Sequence, residues 1–297
     1  MNRDTFSGYH PIVNFLYFGF TLAFAMIYTH PVCLALSLLC AVVYSVCLNG
    51  QKAVRFGLLY MLPMMLAAAA LGPLFNHQGI TVLAYFPGGN PLTLESVLYG
   101  AAAAVMLVAV VTWFSCVNAV ITSDKLVYLF GRVVPSLSLI LSMALRLVPR
   151  FKAQIKVISD AQKCVGRGVS DGNIPQKVRH GVRILSILVT WALENAIETA
   201  DSMRSRGYGL PGRTAFSVHR FDRRDRAALV FLIACAVYII VGSAAGGLYF
   251  RYFPAVNGLW DSPYTVSLFV VYFALCVFPI AVNGKEALVW KRIESKT

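Results

Sequence analysis

Two short segments, Gly166-Arg167-Gly168 and Ser205-Arg206-Gly207, hold the residues best suited to chemistry in this sequence. Each follows a long helical pattern, and the two arginines lie 39 residues apart. An arginine in the last turn of a helix that stops at glycine presents a cation beside unsatisfied backbone carbonyls. Its guanidinium can also pair bidentately with a carboxylate, which a lysine does less specifically. One such end alone indicates ordinary helix capping, but the repeat predicts two docking points for another protein.

Other residue types in the chain offer little catalytic or metal chemistry. Glu194, Glu198 and Asp201 share one helical face, which predicts a solvated stripe or pairing with basic residues of the preceding helix. The five histidines and seven cysteines show no zinc-binding or disulfide spacing. The P-loop motif G-x-x-x-x-G-K-[ST] does not occur, so the chain cannot cradle ATP in that way. We therefore predict a non-catalytic protein without cofactor or metal. If ATP drives it, the energy comes through a partner.

The composition places these segments in a polytopic membrane protein. Apolar residues make up 58% of the 297 residues and charged residues only 13%, which lies outside the range of soluble globular proteins. The net charge is +13, but residues 123–226 hold 18 of the 26 Lys and Arg against 8 of the 13 acidic residues. Positive charge concentrated between membrane spans is typical of a cytoplasmic loop, and this distribution argues against a nucleic-acid partner.

Six apolar stretches predict membrane spans: about Ile12–Tyr28, Val32–Leu48, Phe56–Phe75, Leu94–Ile121, Ala227–Phe250 and Thr265–Val282. Pro63 and Pro73 predict a kink or a break in the third span. Between the third and fourth spans, Ile80–Phe86 predicts a short extended piece before a turn at Pro87–Pro91 in an external loop. The bias of Lys and Arg predicts that both termini lie in the cytoplasm. The first span has no A-x-A-like cleavage site, so we expect a retained anchor.

The basic region predicts two long amphipathic helices. In the first, apolar residues recur near helical period at Leu141, Leu145, Val148, Ile155 and Ile158, with a bend or break expected at Pro149. After a turn at Asp171–Pro175, the second helix is expected to extend on the order of 45 Å. It presents one stripe of Val178, Val182, Leu185, Val189, Ala192, Ala196, Ala200 and Met203. The alanines of its distal half predict a close helix crossing there. The fold class is all-α, a polytopic helical bundle with long cytoplasmic coupling helices.

Three segments of this region resemble the transmembrane (T) component of energy-coupling factor transporters: Met143–Phe151 (MALRLVPRF), Asp160–Gly168 (DAQKCVGRG) and Ala200–Gly209 (ADSMRSRGYG). The resemblance covers roughly residues 90–230. In that family two X-Arg-X tips end the coupling helices and dock in grooves of two ABC-type ATPases. The resemblance therefore implies ATPase docking by Gly166, Arg167, Gly168, Ser205, Arg206 and Gly207. It also implies coupling-helix support from Arg146, Pro149, Asp160, Gln162, Glu198, Asp201 and Arg204.

Two positions depart from the family pattern. The usual alanine before the first arginine is Gly166, which we expect to weaken the last helical turn by about 1 kcal/mol relative to alanine. At the second site that alanine is Ser205, a milder change. The first departure leaves open whether the two tips dock equally.

The resemblance implies a non-catalytic scaffold and coupling subunit of an importer for vitamins or metal ions, in the plasma membrane of a prokaryote. Its partners would be two cytoplasmic ATPases, a small substrate-binding (S) membrane subunit and the lipid bilayer. One alternative is an intramembrane protease or lipid-modifying enzyme, for which Glu95 is the main candidate residue. A stand-alone secondary transporter is the other, although the internal repeat expected of it is not visible.

The sequence divides into three predicted regions. Residues 1–122 hold about four spans, and residues 123–226 form the cytoplasmic coupling-helix region. Residues 227–297 hold about two spans and a cytoplasmic tail. In the fifth span, Gly242 and Gly246 form a small-xxx-small pattern, which predicts either a helix contact within the chain or a surface for another membrane protein.

Overall fold

The computed structural model describes residues 4–85, 90–133, 135–168, 173–208, 210, 220–258 and 263–294. The chain divides into two units, residues 1–122 with 219–297, and residues 123–218. The first unit contains α1 (Pro11–Ile27), α2 (Pro31–Asn49), α3 (Gln51–Phe56), a π turn (Gly57–Met61), α4 (Leu62–Phe75), β1 (Val82–Tyr85), β2 (Pro91–Thr93), α5 (Leu94–Val120), α9 (Arg223–Ala244) and α10 (Pro263–Glu294). The second unit contains α6 (Ser123–Val133), α7 (Pro135–Cys164) and α8 (Ile174–Ser205).

An apolar helix occupies each of the six predicted spans. Five are long and apolar enough to cross a membrane: Pro31–Asn49, Gln51–Phe75, Leu94–Val120, Arg223–Ala244 and Pro263–Trp290. The remaining one, α1, has 17 residues, somewhat fewer than the roughly 20 that a crossing usually needs. The chain is thus an all-α, multi-pass membrane protein, as its composition predicts. The helix at the sixth span is longer than expected, because α10 continues to Glu294.

Aromatic side chains from several helices fill the core of the first unit. Tyr17, Tyr44, Trp113 and Tyr272 are completely buried. The Trp113 Nε1–H donates to the Ser37 hydroxyl at 3.0 Å, which joins α5 to α2. Because a bilayer offers little hydrophobic drive for helix association, such packing and polar contacts are what hold the helices together.

Two glycine contacts bring helices of this unit close together. A Cβ placed on Gly72 would lie 2.5 Å from the Gly100 Cα, so α4 and α5 meet at their backbones. A Cβ on Gly242 would clash with a methyl carbon of Leu268, so α9 meets α10 there. Of the two predictions for the Gly242 pattern, the structure supports a contact within the chain.

The predicted kink in the third span takes the form of a π turn. Gly57–Met61 forms a π-helical stretch between α3 and α4, and Pro73 lies inside α4 without ending it. The extended piece predicted after this span is β1, which pairs antiparallel with β2. Residues 86–89 of the predicted turn lie outside the described residues. The second strand was not predicted.

In the second unit, α7 and α8 have 30 and 32 residues, so two long helices form as the periodicity predicts. Of the bend or break expected at Pro149, the break does not occur, because α7 continues through that residue to Cys164. Of the turn predicted before α8, Asp171 and Gly172 lie outside the described residues. Asn173 precedes α8, and its backbone N–H donates to the Gln176 side-chain oxygen at 3.1 Å.

Candidate docking site at two helix ends

The end of α7 is a Schellman motif built around Gly166. The Gly166 N–H donates to the Lys163 carbonyl and the Arg167 N–H donates to the Gln162 carbonyl, both at 2.9 Å. Gly166 has a φ of +69°, the left-handed conformation that this motif requires of its glycine. These bonds satisfy carbonyls that the helix itself leaves unpaired. The motif therefore fixes the backbone that leads into Arg167, whose side chain is exposed.

The end of α8 repeats this hydrogen-bond pattern around Gly207. The Gly207 N–H donates to the Arg204 carbonyl at 3.0 Å and the Tyr208 N–H donates to the Met203 carbonyl at 3.1 Å. Gly207 has a φ of +76°. Arg206 is the C-cap residue of α8 and is exposed. The two predicted docking segments thus end their helices in the same way.

The arginines occupy different positions in the two motifs. Arg167 follows its left-handed glycine, whereas Arg206 precedes its own. The expectation of an arginine in the last helical turn is wrong for both segments, since the basic residues in the last turns are Lys163 of α7 and Arg204 of α8. Each arginine therefore belongs to the irregular segment just after its helix.

Glycine in place of the family's alanine at position 166 was expected to weaken the last turn of α7, and the structure shows the opposite effect. Gly166 lies beyond Cys164, the last residue of α7, so it does not weaken a helical turn. At its positive φ an L-residue costs roughly 1–2 kcal/mol, and glycine does not pay that cost. Glycine at this position stabilises the tip.

The predicted support residues lie on α7 and α8 but form few contacts with one another. All except Gln162 are exposed: Arg146, Pro149 and Asp160 on α7, and Glu198, Asp201 and Arg204 on α8. Asp160 forms a 3.9 Å ion pair with Lys163, and both side chains are more than half exposed. Such an exposed pair contributes about 0.5 kcal/mol or less. The exposure of Glu198 and Asp201, with that of Glu194, favours the solvated stripe over pairing with α7.

A small apolar cluster joins α7 to α8. Ile158 of α7 is buried with Ile184 and Leu188 of α8, and Trp191 packs against them. The Trp191 ring also meets the Phe151 ring edge-on, with centroids 5.9 Å apart. This contact positions the two helices relative to each other.

The contact uses a different face of α8 from the one predicted. Val178, Val182, Leu185 and Val189 of the predicted stripe are 48–61% exposed. The crossing expected at the distal alanines is also wrong, because Ala196 and Ala200 are exposed and the buried cluster lies nearer the start of α8. The reason is that Ile184, Leu188 and Trp191 form a second apolar stripe at helical spacing, with larger side chains to bury.

Glu95, the main candidate for an intramembrane enzyme, holds the loop between α4 and α5. It is 2% exposed, and one of its carboxylate oxygens accepts hydrogen bonds from the Thr81 hydroxyl at 2.8 Å and from the Thr81 backbone N–H at 3.2 Å. Within the described part of the chain, no group of three or more His, Cys, Asp or Glu side chains could hold a metal ion. These contacts give Glu95 a structural role.

Two histidines have a role that the sequence reasoning missed. A ring nitrogen of His10 accepts the Ile12 N–H and one of His30 accepts the Val32 N–H, each at 3.3 Å. They are the N-cap residues of α1 and α2, each followed by a proline in the first helical position. The repeated His-Pro dipeptide was the available sequence sign, because proline favours the first position of a helix.

Comparison with known proteins shows where this chain has relatives. A family model described as CbiQ, cobalt transport protein, matches residues 10–217. The energy-coupling factor transporter transmembrane protein of Lactococcus lactis is 32% identical over 111 residues, 37% of this chain and 42% of that protein. The Staphylococcus aureus protein of the same name is 32% identical over 119 residues, 40% of this chain and 44% of that protein. The Streptococcus thermophilus one is 31% identical over 135 residues, 45% of this chain and 51% of that protein. The matched segments thus span about half the length of these relatives.

Proposed function

The chain belongs to the CbiQ cobalt transport protein family, and we propose that it is the transmembrane scaffold and coupling subunit of an energy-coupling factor importer. In this proposal two cytoplasmic ABC-type ATPases bind the ends of α7 and α8, and a small substrate-binding membrane subunit associates with the same scaffold. The imported compound is a vitamin or a metal ion. The chain itself is not an enzyme.

The observation that supports this proposal is the repeated helix end. Two helices of 30 and 32 residues each finish in a glycine-centred motif with an exposed arginine beside the glycine. A backbone fixed by two hydrogen bonds holds the guanidinium more rigidly than a disordered loop would. Such an arginine can enter a groove on another protein and pair bidentately with a carboxylate.

Coupling requires that the ATPases bind these ends differently in two states. A ligand shifts a conformational equilibrium only through its differential affinity for the states. ATP binding would draw the two ATPases together and move the ends of α7 and α8, and this motion would reorient the substrate-binding subunit. The bias of Lys and Arg in the sequence supports a topology with both termini and residues 123–226 in the cytoplasm of a prokaryotic cell.

Charge reversal at the α8 end tests this proposal. Replacing a paired interface arginine leaves its partner carboxylate buried and unpaired, which costs about 2–5 kcal/mol. We expect Arg206→Glu to abolish co-purification of the ATPase that binds the α8 end, and with it ATP-driven uptake, while membrane insertion stays intact. Arg183→Glu is the matched control, because Arg183 is an exposed arginine within α8, away from its end.

The double variant Arg167→Glu plus Arg206→Glu gives the decisive result. We expect neither ATPase to co-purify with it in mild detergent. Lys156→Glu, an exposed position within α7, controls for charge reversal on the first helix. Unchanged assembly and unchanged uptake in the double variant would eliminate the docking role of both ends.

A further inference from the structure

A cavity of about 320 Å³ lies within the membrane-spanning unit. Its walls are α2, the continuous helix formed by α3, the π turn and α4, and the middle of α5. Volumes of this size are typical of sites that hold a small ligand or part of one. Most of the lining is aliphatic, including Val46, Met61 and Met65.

The few polar groups of the lining do not make it a site for a polar ligand. Ser45, Thr112 and Ser115 line the cavity. The Thr112 hydroxyl donates to the Val108 carbonyl of its own helix at 2.7 Å, and Ser45 is buried. Water is poorly held in a space whose walls are almost entirely apolar.

Gly57 and Met61, the first and last residues of the π turn, line this space. Met65, one turn further along the same helix, lines it as well. A Cβ placed on Gly57 would meet no atom within 4 Å. Since φ at Gly57 is −58°, an ordinary helical value, no backbone conformation requires glycine there. The missing side chain leaves the cavity open.

The wall that contains the π turn faces the bilayer. In the most apolar 18-residue stretch of Gln51–Phe75, only 6% is buried inside the protein. The corresponding stretches of the other four long spans are 33–39% buried. Leu58, Leu59 and Tyr60 of the π turn are 58–65% exposed. The medium next to the cavity is therefore lipid acyl chain, which matches its apolar lining.

Two cations lie at the end of the same helix. Lys52 and Arg55 are exposed on α3, next in sequence to the lining residues Ala53, Val54 and Phe56. Among the described residues, neither side chain forms an ion pair with an acidic residue. Basic side chains at the end of a membrane helix attract anionic lipid headgroups.

We propose that this cavity binds an acyl chain of an anionic phospholipid whose headgroup is held by Lys52 and Arg55. The cavity accommodates the chain, and the two cations select the headgroup charge. The proposal does not depend on the transporter assignment, since it rests only on the first unit.

A photoactivatable lipid tests the proposal on the full-length protein. The chain is reconstituted with any co-purifying subunits into phosphatidylcholine vesicles that contain phosphatidylglycerol with a diazirine on one acyl chain. A parallel sample contains phosphatidylcholine with the same labelled chain. We expect labelling of Val46, Met61 and Met65, located by peptide mass spectrometry, to be stronger with the phosphatidylglycerol probe. Each basic residue near the headgroups contributes about fivefold to this preference, equivalent to about 1 kcal/mol.

Two sets of variants separate the cavity from the headgroup site. Gly57→Phe should fill the cavity and remove most labelling, and Ser115→Leu should do the same from the α5 wall. Leu59→Phe is the matched control, because Leu59 lies in the same π turn but faces outward and does not line the cavity. Lys52→Gln plus Arg55→Gln should keep the labelling but make the two probes equal.

Three results would overturn the proposal. The first is labelling that persists at full strength in both Gly57→Phe and Ser115→Leu. Another is equal labelling by the two probes in the unsubstituted protein. The third is a crosslink that places a side chain of a co-purifying subunit in the cavity in place of lipid.

Discussion

Substituting Gly166 by alanine tests whether the end of α7 is built as described. Alanine is the residue that the family pattern favours here, and on helix propensity alone it would strengthen the last turn by about 1 kcal/mol. The structure predicts the opposite sign. Gly166 has a φ of +69°, where an L-residue costs roughly 1–2 kcal/mol. Alanine recovers part of this by restricting the unfolded chain, so we expect a net destabilisation of about 1 kcal/mol.

This destabilisation has no steric component, which makes its size predictable. A Cβ on Gly166 meets no atom within 4 Å, so only the backbone conformation is penalised. The amides of residues 166 and 167, which donate the two hydrogen bonds of the motif, should open about fivefold more often, since 1 kcal/mol corresponds to about that factor. Hydrogen exchange of a peptide covering residues 160–168 measures this directly.

Gly181 provides the matched control for the same exchange experiment. It lies inside α8 and also has open space around its Cβ position, but it has an ordinary helical conformation. Gly181→Ala should therefore stabilise its helix by about 1 kcal/mol and leave residues 160–168 unchanged. Slower exchange at residues 166 and 167 in Gly166→Ala would refute the left-handed glycine and the motif built on it.

Three further substitutions probe packing in the two units. Trp191→Ala should weaken the α7–α8 contact by about 2 kcal/mol, measured as faster hydrogen exchange on both helices. Gly100→Ala places a Cβ 2.8 Å from the Ala69 carbonyl oxygen and should cost about 1–3 kcal/mol, seen as a lower melting temperature in detergent. Asp225→Asn should lower the free energy of unfolding by about 1–2 kcal/mol, also seen as a lower melting temperature. Its carboxylate accepts the His10 N–H and the Asp222 N–H, both at 3.1 Å, and an amide has only one oxygen.

Much of the fold was predictable from the sequence because the bilayer imposes simple rules. A membrane helix must satisfy its backbone internally and be long enough to cross, so apolar length alone locates it. The predicted fourth span, Leu94–Ile121, differs by one residue from α5 (Leu94–Val120). The π turn was predictable only as a kink near Pro63, because proline reports a disturbed helix without giving its form.

The helix ends show where prediction from the sequence stops. Glycine after a long periodic pattern located both ends correctly, since glycine favours the left-handed conformation that ends a helix. Whether Arg167 comes before or after the left-handed glycine of its motif depends on which glycine takes the positive φ. The segment Gly166-Arg167-Gly168 has two glycines that could do so, and the sequence alone does not choose between them.

The buried face of α8 was mispredicted for a related reason. The helix has two apolar stripes, and periodicity identifies both without ranking them. The longer stripe contains Val178 and Val182, but the structure buries the one that contains Leu188 and Trp191. Which stripe is buried depends on where Ile158 of α7 contacts α8. That contact is tertiary structure, which the periodicity of α8 alone does not give.

The position of the α7–α8 cluster gives the two helices unequal lever arms. From Ile158 to the end of α7 at Cys164 is six residues, about 9 Å, whereas from Leu188 to the end of α8 at Ser205 is 17 residues, about 25 Å. A 10° rotation about this fulcrum would displace the α8 end by roughly 4 Å and the α7 end by roughly 1.5 Å. The same rotation would thus displace the end of α8 almost three times as far as the end of α7.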